Sequence, residues 1–579
     1  MTSTNSSSKR LIIFKDTLKR YWMIPVAMFA VYGYMVIAPL LMRVDQGDSA
    51  YLLYTTISNN NFLTYFLNAC LSFAVGLAVM YYIHGQESSQ FYHALPVKRE
   101  DLFDGSVLAG VVMCVAPIVV VGLILGIIAT STPEPILKIL IQDYGVKAVP
   151  KFTDAFSWIG VSSVCTLFSY AIMVLAGILS GHTVAHMLYG SFLNVAPALI
   201  TMIDYLLVRA FARGVISNGI RMELAIYTTP YFYYLSRGHS AMAAVAYIGA
   251  ALVIIAVTRL LLKKLPMEEE GNFSIFKLGT LVIATMVAYV GSVLLTEFFL
   301  ILCNVSDTAV YIKPLFVVLC VFFSFVILCI LYMIATKSTQ IFTKKYLKPI
   351  CIGLAVIGIA VGSSVYDIRG NEGYIPSVRK VNNVSIIIDV DRYSESLNFK
   401  SADMIQKVED IHKRCLELNE PENGDYSRTV EINYSMNNGD VISRQYFVLE
   451  EDIKKNVSVF TTVYESKEAV KQKQIDMKSL EGQPILLSID RKDGTTNTPQ
   501  LKKTQEKEFI EAYNKDVEKL IYNFDETVKK GFSTDLADTQ LEFQTGHEYK
   551  NTYHVYKDYT NTLNLLKKYK YIDDKGYSL

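Results

Sequence analysis

The chain has 579 residues, of which 51% are hydrophobic and only 19% are charged. Soluble domains carry charge on about a quarter of their residues, so this composition is typical of a membrane protein. The formal net charge is +1, which gives no electrostatic reason to expect a nucleic-acid partner. Apolar runs fill the chain up to residue 366, and the remainder is polar.

Nine apolar runs are long enough to cross a membrane. A bilayer core of about 30 Å requires about 20 apolar residues in a helix. The predicted spans are Tyr21–Leu41, Phe62–Ile83, Val107–Ala129, Phe156–Leu179, Thr183–Val208, Ala241–Leu262, Leu278–Cys303, Leu315–Ala335 and Ile350–Tyr366. The first is too long for a cleavable signal peptide, and the ninth is the shortest.

The basic residues predict the orientation of these spans. Clusters precede the first span, separate the second from the third, end the sixth and follow the eighth, which places all four on one side. Because cytoplasmic loops are rich in Lys and Arg, we expect a cytoplasmic N-terminus in the plasma membrane. Four arginines fall on the opposite side: Arg209, Arg213, Arg221 and Arg237. An odd number of spans then places residues 367–579 outside the cell.

Residues 1–20 contain a short amphipathic segment. Leu11, Phe14 and Leu18 recur at helical spacing among basic residues. This pattern fits a helix in the cytoplasmic interface. It fits equally well an N-terminal extension of the first span.

The polar tail predicts an α+β domain. Strands are expected at 384–390, 429–436, 441–449, 458–464 and 484–490, and helices are expected after Ser401 and at 505–524. Asn438-Gly439 favours a tight hairpin turn between the second and third of these strands.

The motifs of common enzymes are absent from the sequence. It has no phosphate-binding P-loop, no H-E-x-x-H zinc motif and no G-x-S-x-G nucleophile motif. The eight histidines have no metal-ligand spacing, and the cysteines resemble apolar fillers. We therefore predict no catalytic residue, no metal site and no cofactor bound by this chain.

Two acidic residues and two asparagines stand out within the predicted spans. Asp204 and Glu297 are near helix ends, where water reaches, so we interpret them as solvated residues. Asn68 and Asn194 lie deeper, and the favoured interpretation is hydrogen bonding between helices. The alternative is that these two asparagines line a substrate pathway.

Residues 209–240 are rich in aromatic side chains, with Tyr227, Tyr231, Phe232, Tyr233 and Tyr234. An interfacial aromatic belt is the default interpretation. As an alternative, Tyr233 and Tyr234 line the outer mouth of a pathway for an amphipathic substrate.

The loop between the second and third spans carries the most informative motif. Phe91, Tyr92 and Leu95 form an apolar face, which Pro96 and the Lys98-Arg99 pair close. A short helix of this kind can dock into a groove on another protein. An ordinary interfacial loop with an aromatic anchor explains the pattern equally well.

The stretch FYHALPVKREDLF, followed directly by a span, resembles the coupling segment of ABC-2-type transporter permeases. The six-span pattern, the N-terminal helix and the tight Ser180-Gly181-His182 turn are also similar to that family. The resemblance covers about the first 275 residues and implies contact with separate ATPase subunits, which would bind ATP and Mg²⁺. It assigns ATPase coupling to Phe91, Tyr92, His93, Leu95, Pro96, Lys98, Arg99, Gly181 and His182.

The expected fold class is an α-helical polytopic membrane protein with a C-terminal α+β extracellular domain. Residues 1–20 form the interfacial helix, 21–265 a six-span ABC-2-like unit, 266–366 a connector with three further spans, and 367–579 the outer domain. Some Gram-positive permeases of this group carry extra spans and an outer domain, and several are associated with cell-envelope peptide antibiotics. Here, however, the domain follows the last span instead of interrupting the spans.

Three functions fit these features. A permease subunit would pair with ATPases and with a second permease, either a copy of itself or a paralogue, to move an amphipathic, peptide or cell-envelope compound. A sensor or scaffold would use its outer domain to bind an extracellular ligand or partner. A secondary carrier would need a protonatable group near the membrane midplane, which the sequence does not offer.

Overall fold

A computed structural model gives the fold of the chain. It describes residues 6–42, 47–58, 61–84, 97–131, 150–218, 226–265, 275–304, 312–389, 396–419, 421, 427–475, 485–490, 496–498, 501–521, 524–529, 541–545, 551–555 and 559–572. The chain forms two compact units. The first comprises Met1–Phe211 and Ile220–Ile368, and the second comprises Ala212–Gly219 and Arg369–Leu579.

The first unit is a bundle of helices. Within the described residues, nine helices are long and apolar enough to cross a membrane, as the sequence predicts. These spans are Met23–Met42, Phe62–His84, Arg99–Ser131, Phe152–Leu179, Thr183–Phe211, Ala241–Lys263, Lys277–Leu302, Ile312–Thr336 and Lys344–Val365. Shorter helices are Ser6–Tyr21, Gly47–Ile57 and Pro230–Arg237.

The surface of the bundle is apolar. Met242, Leu278 and Ile359 are 84%, 72% and 73% exposed, each on a different span. In water, a surface with many exposed large apolar side chains would favour aggregation, whereas lipid tails solvate it. Length, hydropathy and surface together define a polytopic α-helical membrane protein.

The N-terminal helix, Ser6–Tyr21, is separate from the first span. A single residue, Trp22, lies between it and the helix that begins at Met23. Phe14 and Leu18 pack into the bundle, whereas Leu11 is exposed, so only part of the predicted apolar face is used. Gly105 of the third span permits this packing, because a Cβ there would lie 2.8 Å from the Arg10 carbonyl oxygen.

The second unit contains two antiparallel sheets. The five-stranded sheet has the order β1-β5-β4-β2-β3, and the four-stranded sheet has the order β7-β6-β8-β9. The strands are β1 Val215–Asn218, β2 Val381–Ile388, β3 Leu397–Phe399, β4 Ser427–Met436, β5 Val441–Leu449, β6 Ile485–Asp490, β7 Thr496–Asn497, β8 Leu541–Thr545 and β9 Asn551–His554. The helices are Ala402–Glu417, Glu450–Lys455, Val457–Tyr464, Lys467–Lys473, Lys503–Ile521, Phe524–Lys529 and Thr560–Lys568.

Strand β1 is the main feature that the sequence analysis does not predict. It follows the fifth span by a few residues but forms the edge of the five-stranded sheet, where Ser217 pairs with Ser443 of β5. Two contacts just before the strand support this pairing. The backbone N–H of Gln445 donates to the Gly214 carbonyl at 3.0 Å, and the Arg213 guanidinium donates to the Cys415 carbonyl at 3.4 Å.

Gly214 is required at the turn into β1. Its φ of +71° is unfavourable for any residue with a side chain, and a Cβ would collide with the Tyr446 ring.

Local patterns predict most of the other elements of the sheet. The hairpin of β4 and β5 forms around Asn438-Gly439, with Gly439 at φ +88°. The predicted strand at 458–464 is wrong, because Val457–Tyr464 is a helix. Phe460, Val463 and Tyr464 are buried at spacings of three and four residues, and this helical period outweighs the β-branched composition.

A buried histidine lies in the core beneath this sheet. His412 pairs its Nδ1 with the Tyr434 hydroxyl at 3.0 Å and its Nε2 with the Tyr446 hydroxyl at 2.7 Å. Burial, together with the charge of Arg444, lowers the pKa of His412 to about 3. The imidazole is therefore neutral at physiological pH, and its role is to satisfy two buried hydroxyls.

The β1–β5 pairing predicts a specific disulfide. The variant Ser217→Cys/Ser443→Cys should form an intrachain disulfide in membranes, because directly paired antiparallel residues have Cα atoms about 4.5–5.5 Å apart. The control Ser217→Cys/Ser385→Cys joins β1 to β2, three strand spacings or about 14 Å away, and should stay reduced. Gel mobility after partial proteolysis reads out the bond. Equal oxidation of both pairs, or of neither, would contradict the strand assignment.

Candidate sites in the membrane bundle

The first candidate site is the predicted ATPase-coupling surface. Phe91, Tyr92, His93, Leu95 and Pro96 lie outside the described residues. The described part begins with Val97, and both Lys98 and Arg99 are exposed. The Lys98 carbonyl accepts the backbone N–H groups of Asp101 and Leu102, at 3.0 and 3.1 Å. The basic pair therefore forms the N-terminal boundary of the third span and leaves its cationic groups accessible.

The first turns of the third span carry three carboxylates in a network of ion pairs. We call this set the basal network, and it consists of Arg10, Glu100, Asp101, Asp104, Arg259 and Lys263. Arg259 of the sixth span donates to both oxygens of Asp104, at 2.8 and 3.1 Å, and to Glu100 at 3.2 Å. This two-pronged geometry fixes the orientation of the carboxylate as well as its distance.

Arg10 brings the N-terminal helix into the same network. Its Nε donates to Asp101 at 2.7 Å, and its side chain also lies 3.3 Å from Asp104. The Asp101 side chain is only 4% exposed, whereas that of Arg10 is 43% exposed, so the pair joins a buried carboxylate to a solvent-accessible guanidinium. The N-terminal helix, the third span and the sixth span are thus joined directly behind the predicted coupling segment.

The second predicted coupling contact, Gly181 and His182, lies in the turn between the fourth and fifth spans. Gly181 is buried and His182 is half-buried. The His182 Nδ1 accepts the backbone N–H of Ala185 at 3.1 Å, which caps the start of the fifth span. Partial burial and the nearby Lys337 lower the pKa of His182, which favours the neutral ring that this bond requires.

His84 connects the end of the second span to the turn between the fourth and fifth spans. It is the last residue of the second span, and its Nε2 is 2.9 Å from the Gly177 carbonyl. The Ser180 hydroxyl is 3.4 Å from the same nitrogen. The ring also lies 4.9 Å from that of His186 in the fifth span. The C-terminal end of the second span is therefore anchored to the helix end that carries the Gly181-His182 turn.

The second candidate site is the predicted substrate pathway, at the opposite ends of the same spans. Asn68 is fully buried in the second span, and its amide oxygen accepts the Tyr32 hydroxyl of the first span at 2.5 Å. The Asn68 amide oxygen therefore makes an interhelical hydrogen bond. Tyr32 directly precedes a π-helical turn, Gly33–Ile37, a local distortion that is common at functional sites. Asn194 instead donates to Gly190 of its own helix, at 2.9 Å.

The short helix Pro230–Arg237, which we call the tyrosine helix, points two of its tyrosines into the bundle. Tyr231 bonds Ser169 of the fourth span at 2.9 Å, and its ring meets that of Tyr65 edge-on at 5.9 Å. Tyr234 is buried and packs near Tyr247 of the sixth span.

The opposite side of the tyrosine helix faces outward. Phe232 is exposed, and so is Tyr227 just before the helix. The helix therefore combines an outward aromatic face with a tyrosine-lined inner face, and Tyr233 lies between them, half-buried against Tyr227 and Tyr234.

Asp204 and Glu297, the two acidic residues that the sequence analysis places within spans, are half-buried. Asp204 of the fifth span accepts the Ser364 hydroxyl of the ninth span at 2.5 Å. It therefore joins the six-span part of the bundle to the last span, and is more than a solvated end residue. Glu297 lies near the end of the seventh span.

Comparison with known proteins identifies no relative. No family model, no curated protein and no solved structure matches this chain. Among the described residues, no group of three or more His, Cys, Asp or Glu side chains could hold a metal ion. The class defined by the fold is a polytopic helical membrane protein, and any finer assignment depends on the sites themselves.

The basal network predicts a measurable coupling between Arg10 and Asp101. In a double-mutant cycle with Arg10→Gln and Asp101→Asn, we expect non-additive effects on unfolding in detergent, with a larger coupling energy than in the control below, because Asp101 is buried. The more exposed pair Lys263 and Glu100, substituted by Gln at both positions, is the control and should give about 0–1 kcal/mol. Additive effects for Arg10 and Asp101 would mean that the N-terminal helix is not held by this pair.

Proposed function

We propose that this protein is the membrane-spanning subunit of an ABC transporter, which moves its substrate with ATP hydrolysed by separate ATPase subunits. The observation that carries the proposal is the basal network. It joins the helix that follows the predicted coupling segment to the N-terminal helix and to the sixth span. A push or pull on residues 91–99 would therefore move three elements together.

The link from His84 to the fourth-to-fifth turn extends this argument. The second span, which leads into residues 91–99, is hydrogen-bonded at its last residue to the helix end that precedes Gly181 and His182. A partner that bound both segments would therefore act on helices that are already joined. Catalysis would belong to the partner, and this chain would convert its motion into helix movement.

The two chain segments that form the second unit support its predicted extracellular location. Its two chain segments follow the fifth and the ninth spans. A chain that crosses the membrane at each of nine spans delivers both segments to the same face, since both numbers are odd. Together with the positive-inside pattern, this favours an extracellular second unit and requires the ninth span to cross the membrane.

The sensor or scaffold function is the second candidate, and strand β1 is the observation that favours it. A domain whose sheet includes a segment between the fifth and sixth spans is connected to the bundle at three points of the chain. Binding of an extracellular ligand to such a domain could alter the spans without any transport. The two functions differ in whether an ATPase is a stable partner.

A pull-down from native membranes in mild detergent tests the proposal. The wild type should capture a P-loop ATPase, and Phe91→Asp/Leu95→Asp should lose it because charge disrupts an apolar docking face. The matched control is Val441→Asp/Phe447→Asp, which changes two exposed apolar residues of the second unit and should retain the ATPase. Capture of no ATPase by the wild type would favour the sensor. Equal capture by both variants would remove residues 91–95 from the interface.

A further inference from the structure

Several buried polar groups near the tyrosine helix have no hydrogen-bond partner. They are the Thr64 hydroxyl and the Asn68 amide nitrogen on the second span, the Ser162 hydroxyl on the fourth, and the hydroxyls of Thr229 and Tyr234. Each of these residues is at most 3% exposed. We call these five residues the unpaired polar set.

Contacts place the members of this set in one region. Thr64 and Asn68 are four residues apart and so share a face of the second span, which packs directly on the fourth. Tyr65, beside Thr64, joins Val161, beside Ser162, in one cluster with Tyr234. Thr229 immediately precedes the tyrosine helix.

Leaving these groups unpaired is costly in a membrane protein. A buried hydroxyl or amide without a partner costs about 1–3 kcal/mol by mutational measures, and the bilayer core offers no water to relieve it. Five such groups in one place therefore indicate that a ligand completes their hydrogen bonds. All five are neutral, and a fixed charge on the ligand would find no counter-charge among them.

The surroundings add a second requirement on the ligand. Tyr65, Tyr231 and Tyr247 provide aromatic faces beside the polar groups. On the outside of the same helices, Phe66, Phe156 and Phe232 are exposed at 54%, 57% and 46%. A molecule bound here would place a polar head against hydroxyls and rings while an apolar tail lies along the lipid-facing surface.

We propose that the unpaired polar set binds an uncharged amphiphile whose head group carries several hydroxyl or amide groups. A neutral glycolipid and an acylated peptide backbone share this chemistry. The tyrosine helix closes the site through the Tyr231–Ser169 bond and the burial of Tyr234. That this ligand is the transported substrate rests on the proposed function, whereas its binding does not.

Thermal unfolding of the purified full-length protein tests the binding. The probes are a monoglucosyl diacylglycerol, an N-acylated and C-amidated trialanine, the matching diacylglycerol without a sugar, and phosphatidylglycerol. We expect the sugar or the peptide probe to raise the unfolding midpoint, and the other two to have no effect. Which polar probe binds distinguishes the two sources of the head group.

Two variants distinguish hydroxyls that bind a ligand from hydroxyls that stabilise the fold. Ser162→Ala and Tyr234→Phe remove only hydroxyls that have no partner, so the unliganded protein should be as stable as the wild type or more stable. Each should weaken binding of the active probe about two- to tenfold, the range expected for one hydrogen bond. The control Ser324→Ala removes an equally buried unpartnered hydroxyl in the eighth span and should leave binding unchanged.

The proposal is overturned if neither polar probe binds, if phosphatidylglycerol or the sugar-free diacylglycerol binds as well, or if Ser162→Ala and Tyr234→Phe bind like the wild type. It is equally overturned if both variants destabilise the unliganded protein, because the hydroxyls would then be structural. ATPase capture without probe binding would leave the permease function intact. Probe binding without ATPase capture would retain the ligand class and remove its role in transport.

Discussion

This structure depends on one constraint: a charged side chain that is buried among membrane helices needs a partner of opposite charge. Three carboxylates nevertheless occupy the first turns of the third span, and they are held there by arginines from the N-terminal helix and from the sixth span. Asp101, the most buried of them, is stabilised by a guanidinium from a segment 91 residues away in the chain. Arg10 reaches this carboxylate only when the N-terminal helix packs on the third span, and Arg259 joins the sixth span to the same turn through Asp104, so the network relates the positions of the three elements.

This arrangement gives the two ends of the six-span region different chemistry. One end carries the ion pairs, the His84 contacts and the exposed Lys98-Arg99 pair, which suits contact with a soluble partner. The other end carries neutral hydroxyls, amides and aromatic rings, which suits an uncharged amphiphile. Asn68 lies on the second span, which packs on the third, and Tyr234 of the tyrosine helix packs near Tyr247 of the sixth. A displacement of the third or sixth span would therefore be transmitted to these neighbouring elements.

The nine spans could be predicted from the sequence because hydropathy sums over about twenty residues, so single exceptions do not matter. The hairpin at Asn438-Gly439 could also be predicted, since two residues determine its turn. Strand β1 could not be predicted, because a four-residue strand shows too short a pattern of alternation and its partner strand lies more than 200 residues away. The helix Val457–Tyr464 was misassigned because its β-branched composition masks a helical period.

The candidate sites also contain features that could be predicted from the sequence and features that could not. The sequence identified Asn68 and Tyr234, but it could not show that Tyr231 and Tyr234 turn inward while Phe232 turns outward. It also contained the three carboxylates of the basal network without revealing their partners, because Arg10 and Arg259 are brought to them only by packing. The sequence shows which polar and aromatic residues each helix carries, whereas their partners on distant helices can be identified only from the way the helices pack.

Site-specific photo-crosslinking in native membranes tests the central claim most directly. A benzophenone amino acid at Tyr92 would probe the coupling segment, and the same residue at Leu278, which is exposed on the seventh span, would serve as the control. The account predicts a crosslinked P-loop ATPase from position 92 and none from position 278. A product from position 92 that contains only lipid, or a protein without a P-loop, would contradict it.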